Sequence, residues 1–237
     1  MIHREKAGVE WLEFSLLQPY PEVVHGVFLR HGLDMGDKAN RKRACGALGL
    51  SSYVFCEQVH GSEVFRMEDD PPMTPYDGLV TERKEVGLLI KHADCQAAIF
   101  YDPVKQVIGN VHCGWRGNVQ NIYQKTVERF SCLFDSSPED LLVCISPSLG
   151  PLSAEFVNHE RELPKAFAPF QVKPNYFDFW AISRMQLEAA GVLPDHIEVA
   201  GLCTFAEEAK FFSHRRDKKT GRNATVISLM PSIKKSS

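Results

Sequence analysis

The chain has 237 residues, 44% hydrophobic and 24% charged, with a formal net charge of −3. That is enough for one large or two small domains, and the composition is ordinary for a soluble globular protein. Lys and Arg are scattered and outnumbered by acids, so there is no electrostatic case for a nucleic-acid partner, and no apolar run approaches the ~20 residues of a membrane span.

Taken in order, the segment from Val23 to Leu29 reads as a strand ending at Arg30-His31-Gly32. Asp37 is placed to cap a short helix over Ala39 to Leu48, which Gly49 stops. The basic run Arg41 to Arg43 reads as a solvated face of that helix. Tyr53 to Val59 is expected to be a strand running into a turn at His60-Gly61, with Val64 to Met67 as its hairpin partner. Glu68 to Tyr76 (EDDPPMTPY) is a polar, Pro-rich connector that cannot be a strand interior. Leu79 to Thr81 and Gly87 to Ile90 are short extended segments.

Ala97 to Tyr101 and Val107 to Val111 are apolar runs joined by a turn at Asp102-Pro103. Antiparallel pairing brings Cys95, before the first run, beside His112, after the second. From Trp115 the period changes: Val119, Ile122, Tyr123, Val127, Phe130, Leu133 and Phe134 recur at helical spacing. The amide-rich start of that helix, next to Gly114 and Gly117, is suited to an anion. Leu141 to Ile145 is a buried strand, followed by a rigid loop, Ser146 to Pro151, suited to a pocket wall. A helix from Trp180 to Ala190 closes at Gly191, and strands are expected over Ile197 to Leu202 and Thr225 to Leu229. The pattern predicts a single α/β domain spanning residues 1–237, with a mixed, largely antiparallel sheet.

Seven cysteines, an odd number, and a start (MIHREKAGVEW) without the apolar core of a secretory signal predict a reduced, cytoplasmic compartment. Asn223-Ala224-Thr225 is then an accidental match to a glycosylation acceptor. Cys45, Cys56, Cys132 and Cys144, in apolar surroundings, read as small buried hydrophobes, whereas Cys95, Cys113 and Cys203 have polar or glycine-rich neighbours.

Zinc accepts Cys thiolate and His nitrogen, and catalytic zinc keeps three protein ligands and an open fourth position. His60, Cys95 and His112 supply such a set if their three strand ends converge. Their separations, 95 − 60 = 35 and 112 − 95 = 17 residues, are not those of a zinc finger. The same residues admit a metal-free thiol hydrolase with Cys95 as nucleophile and His112 as base. They also admit a copper site, or a non-catalytic metal or binding module.

Gln58-Val59-His60-Gly61, Asp77-Gly78-Leu79-Val80-Thr81, Ala93-Asp94-Cys95, His112-Cys113-Gly114-Trp115-Arg116-Gly117 and Gly150-Pro151 occur in that order. Cys203-Thr204, Phe212-Ser213-His214-Arg215-Arg216 and Thr220-Gly221-Arg222 follow. The series resembles the YfiH family, long labelled multicopper polyphenol oxidase or laccase. The resemblance implies a mixed β-sandwich flanked by helices, in α/β/β/α layers, and one zinc held by His60, Cys95 and His112. It implies phosphorolysis of adenosine, inosine, guanosine and methylthioadenosine, together with adenosine deamination, so the expected partners are a purine nucleoside and phosphate. Copper fits less well, because one His-Cys-His set is not the several-copper assembly that reduces dioxygen. The oligomeric state is left open.

Under that resemblance a bound zinc lowers the pKa of a water for deamination, with Cys95 and His112 at the catalytic centre. The H-x-E signature of cytidine-type deaminases is absent, so Asp94 and Asp77 are the proton-transfer candidates, unless they only orient His60 or His112. For phosphate, Arg30, Arg41, Arg116, Arg215 and Arg216 are candidates, with Arg30, Arg116 and Arg216 preferred. Aromatic side chains in the cleft would stack on the base; Trp115 serves equally as a core anchor. Three departures from the family pattern touch the pocket: His31-Gly32-Leu33-Asp34 after Arg30, Cys113 where Ala is common, and the Ser146 to Pro151 loop.

Overall fold

The apolar runs fold as strands of two sheets packed face to face. The structure is a computed structural model that describes residues 1–68 and 75–231. In chain order come β1 (Ile2–Lys6), β2 (Val9–Glu13), β3 (Val23–Phe28), α1 (Lys38–Ala47), β4 (Ser52–Phe55), β5 (Val64–Arg66), β6 (Gly78–Thr81) and β7 (Val86–His92). They are followed by β8 (Gln96–Asp102), β9 (Val107–Cys113), α2 (Trp115–Val119), α3 (Ile122–Phe134), β10 (Leu142–Ile145) and α4 (His159–Glu162). The chain then forms β11 (Gln171–Lys173), β12 (Tyr176–Phe177), α5 (Phe179–Ala189), β13 (Ile197–Val199) and β14 (Asn223–Leu229).

The first sheet has the order β1-β2-β3-β14-β7-β4 and the second β13-β10-β8-β9-β6-β5. Among the described strands, β4 with β7, β5 with β6 and β10 with β13 are parallel pairs; the others are antiparallel. Leu12, Val27, Ile90 and Ile227 of the first sheet meet Leu79, Ile99, Ile108 and Leu142 of the second in a shared core. On the far face of the second sheet, Val80, Phe100, Val111 and Val143 pack against Tyr123, Val127 and Phe130 of α3 and Leu187 of α5. On the far face of the first, Trp11, Phe28, Leu89 and Val226 pack against Ala44 and Cys45 of α1. The layers therefore run helix, sheet, sheet, helix, as expected. Strands β8, β9 and β10 are buried on both faces, which is why they read as continuous rather than alternating apolar runs. Phe130 is fully buried, and truncating it to Ala would cost about 3–5 kcal/mol.

Several expectations hold residue by residue. Asp37 caps α1, accepting from Ala39 N at 2.7 Å, and the β8–β9 hairpin pairs Ala97 with His112. Others need correction. The 53–59 strand stops at Phe55, and Val64 to Met67 is not its hairpin partner: β4 lies beside β7 in the first sheet and β5 beside β6 in the second. The intervening chain crosses between sheets, with Cys56 buried in their shared core. The helix after Trp115 is two helices, broken at Asn121, whose left-handed backbone (φ 52°) lets its side chain cap α3 by accepting from Gln124 N. The amide end beside His112 thus belongs to a five-residue helix, too short to sum a macrodipole.

The 197–202 strand ends at Val199. An N-terminal hairpin, β1–β2, turns at Ala7-Gly8, both at positive φ. Arg41 is buried, not solvated, with its guanidinium donating to the carbonyls of Met35 and Gly36 at 2.8 Å. Cys132 is exposed, whereas Cys45, Cys56 and Cys144 are buried. Asn223 is buried and paired through both side-chain atoms with the Phe212 backbone, which no glycosylated asparagine could be. Most of the Glu68 to Tyr76 connector, residues 69–74, lies outside the described residues. No described helix is long and apolar enough to cross a membrane.

Candidate metal centre and cavity

The β8–β9 hairpin sets the frame of the site. Because Gln96 pairs with Cys113 and Ala97 with His112, Cys95 sits at the mouth of the hairpin beside His112. His60 arrives on the chain that crosses between the sheets, in a left-handed conformation (φ 61°) that a non-glycine residue adopts only when held there. Asp77, fully buried just before β6, holds it: its carboxylate accepts from the backbone N–H of Val59 (3.2 Å), His60 (3.0 Å) and Gly61 (2.7 Å). The same carboxylate accepts from His112 Nδ1 at 2.7 Å.

One buried aspartate thus fixes both histidines. With Nδ1 donating to Asp77, His112 presents Nε2 to Cys95, where a metal would take the place of a proton. The His60 and His112 rings stand 4.9 Å apart at 80°. The potential ligand atoms of His60, Cys95 and His112 all lie within 4.8 Å of one another. Beside them, a Cβ on Gly114 would come 3.0 Å from Cys95 Sγ and 3.2 Å from His60 Cδ2, so glycine keeps this space open. Two imidazole nitrogens and one thiolate sulfur, a fixed tautomer and a cleared cradle fit a borderline-soft divalent metal.

The electrostatics agree. Burial pushes the Cys95 thiol up, but the His112 charge and hydrogen bonds from His112 and His60 outweigh it and draw the thiol well below its usual range. Burial pulls His112 down, yet Cys95 and Asp77 hold it above the ordinary imidazole range. The thiolate that a metal needs is therefore available at neutral pH.

The three residues line a cavity of about 830 Å³. Phe55, Gln58 and Lys91 come to it from the first sheet and its crossing segment; Trp115, Phe156 and Phe179 form an aromatic wall on the other side. Phe156 is 6.0 Å from Trp115 and 5.0 Å from Phe179, centroid to centroid. Ser148 and Leu149, from the loop expected to form a wall, also line the cavity, as do His214, Arg215, Lys218 and Arg222.

The expected site residues separate into those the fold brings together and those it does not. Asp94 lines the cavity; one carboxylate oxygen accepts from Thr204 Oγ1 (2.7 Å) and the other from Arg215 N (2.6 Å). Arg116 also lines it, its guanidinium 4.2 Å from the centre of the Trp115 ring. Arg30 and Arg216, expected at the phosphate, stand apart from the cavity lining. Arg30 donates to the Glu208 carbonyl and lies over Phe212 in a separate, shallower concavity. Arg216 is spent on the carbonyls of Thr204, Phe205 and Phe211, a half-buried guanidinium tying loops together. Asp77 does not line the cavity. Lys91, Arg222 and the Phe156–Phe179 pair carry no local sequence signal; Arg222 was visible only inside the Thr220-Gly221-Arg222 motif.

A family of proteins described as "Multi-copper polyphenol oxidoreductase laccase" matches residues 32–230. Purine nucleoside phosphorylase YlmD of Bacillus subtilis is 33% identical over 199 residues, 76% of this chain and 72% of that protein. Purine nucleoside phosphorylase YfiH of Escherichia coli is 32% identical over 223 residues, covering 90% of this chain and 89% of that protein. The crystal structure of YlmD from Geobacillus stearothermophilus superposes with a TM-score of 0.84 at 30% identity, covering 97% and 99% of the two chains.

Proposed function

The chain belongs to the YfiH family, and on that premise we propose that it is a zinc-dependent purine nucleoside phosphorylase with adenosine deaminase activity. The observation that carries the reading is the His60, Cys95 and His112 set, oriented by Asp77 and opening into an aromatic-walled cavity. The similar proteins YlmD and YfiH bear the name purine nucleoside phosphorylase. The substrates would be a purine nucleoside and phosphate, and the free thiols suit a reducing, cytoplasmic setting.

In this reading His60, Cys95 and His112 hold the metal. A bound zinc supplies Lewis acidity and lowers the pKa of a water. Trp115, Phe156 and Phe179 stack on the purine, and Arg116, braced on Trp115, faces the substrate's electron-rich atoms. Asp94 is the proton-transfer group, because its carboxylate lies in the cavity wall with one accepted hydrogen bond on each oxygen. As an acceptor on both oxygens it would act as a base, taking up the proton released by an attacking water in deamination. Asp77, behind the cavity wall, acts through the histidines it positions.

The copper-oxidase label fits less well: among the described residues one cluster of three such ligands is present, and a multi-copper assembly needs several. A metal-free thiol hydrolase is the second reading, supported by the acidified Cys95 beside His112. The two separate on chelation. Phosphate-dependent release of hypoxanthine from inosine that chelator abolishes and zinc restores is the expected result; chelator-resistant turnover blocked by thiol alkylation would favour the hydrolase.

A further inference from the structure

The cavity lining is unevenly charged. It contains Lys91, Arg116, Arg215, Lys218 and Arg222 against two carboxylates, Glu57 and Asp94. Asp94 is committed to Thr204 and to the Arg215 backbone. Arg116 lies on the Trp115 ring, and Arg215 donates to the Glu155 carbonyl. Lys218 is exposed on a loop, whereas Lys91 and Arg222 are brought together by strand pairing.

Lys91 is the penultimate residue of β7, and Arg222 directly precedes β14. The β7–β14 ladder pairs Lys91 with Ala224 and His92 with Asn223. Arg222 is therefore two residues from Lys91's partner, on the same face of the sheet and diagonal to it. Neither side chain forms an ion pair with any described residue. The Lys91 ammonium lies 4.8 Å from the Phe55 ring centre, and the Arg41 guanidinium shares that ring at 4.9 Å. Arg222 spends Nη1 on the carbonyls of Thr220 and Gly221, which leaves Nε and Nη2 to donate outward. Gln58 fixes the Lys91 backbone from both sides, accepting from its N–H (3.0 Å) and donating to its carbonyl (2.7 Å), two residues before His60.

A partly buried ammonium and an exposed guanidinium beside it, without a counter-ion among the described residues, repel each other. Burial lowers the Lys91 ammonium below its ordinary range first, and the neighbouring Arg41 and Arg222 charges lower it further. A ligand that removes such strain carries more than one negative charge and several acceptor oxygens, which describes a phosphoryl group.

We propose that Lys91 and Arg222, with Phe55 beneath the ammonium, form a phosphoryl-binding subsite at the first-sheet end of the cavity. It rests on the reading of this cavity as a purine nucleoside site. Two sources share the chemistry: inorganic phosphate as co-substrate, or the 5′-phosphate of a purine nucleotide.

The test is calorimetric titration of inorganic phosphate, inosine 5′-monophosphate and inosine into the metal-loaded wild type, Lys91→Gln and Arg222→Gln, with thermal melts to establish that each variant is folded. The dissociation constant for inorganic phosphate should rise about tenfold or more in Lys91→Gln and in Arg222→Gln, with inosine affinity unchanged. The same rise confined to the monophosphate would support the subsite with the nucleotide as its source. Wild-type affinity of both anions in both folded variants, or no anion binding by the wild type at millimolar concentration, would overturn it. Lys91-dependent phosphate binding without base release would retain the subsite and reject the phosphorylase; turnover with phosphate affinity unmoved by either variant would do the reverse.

Discussion

Asp77 accepts a 2.7 Å hydrogen bond from His112 Nδ1 while the same carboxylate holds three successive backbone amides, Val59 to Gly61, that carry His60. The geometry of two ligands from different parts of the chain therefore depends on one fully buried side chain. Asp77→Asn keeps an acceptor but loses the charge that orients the imidazole. Zinc affinity, measured by competition with a chromogenic chelator, should fall about 10–100-fold. Asp77→Ala removes all four bonds and should also destabilise the fold by about 3–5 kcal/mol in denaturant titration.

Gly114 gives a narrower perturbation. Its backbone (φ −79°, ψ 176°) suits any residue, but a Cβ there would press on Cys95 Sγ and His60 Cδ2. Gly114→Ala should weaken zinc affinity about tenfold while the melting temperature of the metal-free protein stays within a few degrees of wild type. A metal-free melt lowered as much as that of Asp77→Ala would contradict the local account.

Arg216 separates structural from substrate-binding guanidinium groups. Since its N–H groups are spent on three carbonyls, Arg216→Gln should lose about 2–4 kcal/mol of stability. Below the melting transition its KM for phosphate should stay near the wild-type value. A rise in that KM without loss of stability would return Arg216 to the phosphate site.

His25 predicts part of the acid sensitivity. It is buried in β3, where its Nε2 accepts from Phe14 N at 2.8 Å, a bond only the neutral ring can make. Burial lowers its pKa to about 4, against an ordinary value of 6.5, while Glu13 opposes the shift. The unfolded chain thus binds this proton first, and the contribution, about 3 kcal/mol, is fully present above pH 6.5 and lost as pH falls toward 4. His25→Gln should be less stable than wild type at pH 7.5, with the difference shrinking by pH 4.5. A constant difference across that range would show that His25 does not titrate there.

What was legible in the sequence follows from how local each signal is. The Cys95–His112 juxtaposition could be read because both residues flank one hairpin, whose two runs fix the pairing. His60 could be named from residue type only on the condition that its strand end converged with the other two, and the family resemblance supplied that condition: the chain leaves the first sheet at Phe55 and crosses to the second, and no local pattern says where a crossing chain lands. Asp77 could be named as a residue orienting His60 or His112, but it lies 112 − 77 = 35 residues from His112, at the head of a strand that pairs with β9, so that it serves both histidines appears only once β6 and β9 are neighbours. Arg30 and Arg216 looked like phosphate ligands by residue type, but their carbonyl partners are tertiary contacts. Asn121 broke an unbroken helical periodicity because its own side chain caps the second helix, a choice the apolar spacing does not register.

The central claim is that His60, Cys95 and His112 hold a zinc on which purine nucleoside turnover depends. The measurement that tests it most directly is metal content by elemental analysis alongside adenosine and inosine turnover with phosphate, on wild type and Cys95→Ala. The account predicts about one zinc per wild-type chain, with inosine, free base and ribose 1-phosphate as products, and loss of both metal and turnover in the folded variant. A folded wild-type protein that retains no zinc, or one that retains zinc and turns over no purine nucleoside, would contradict it.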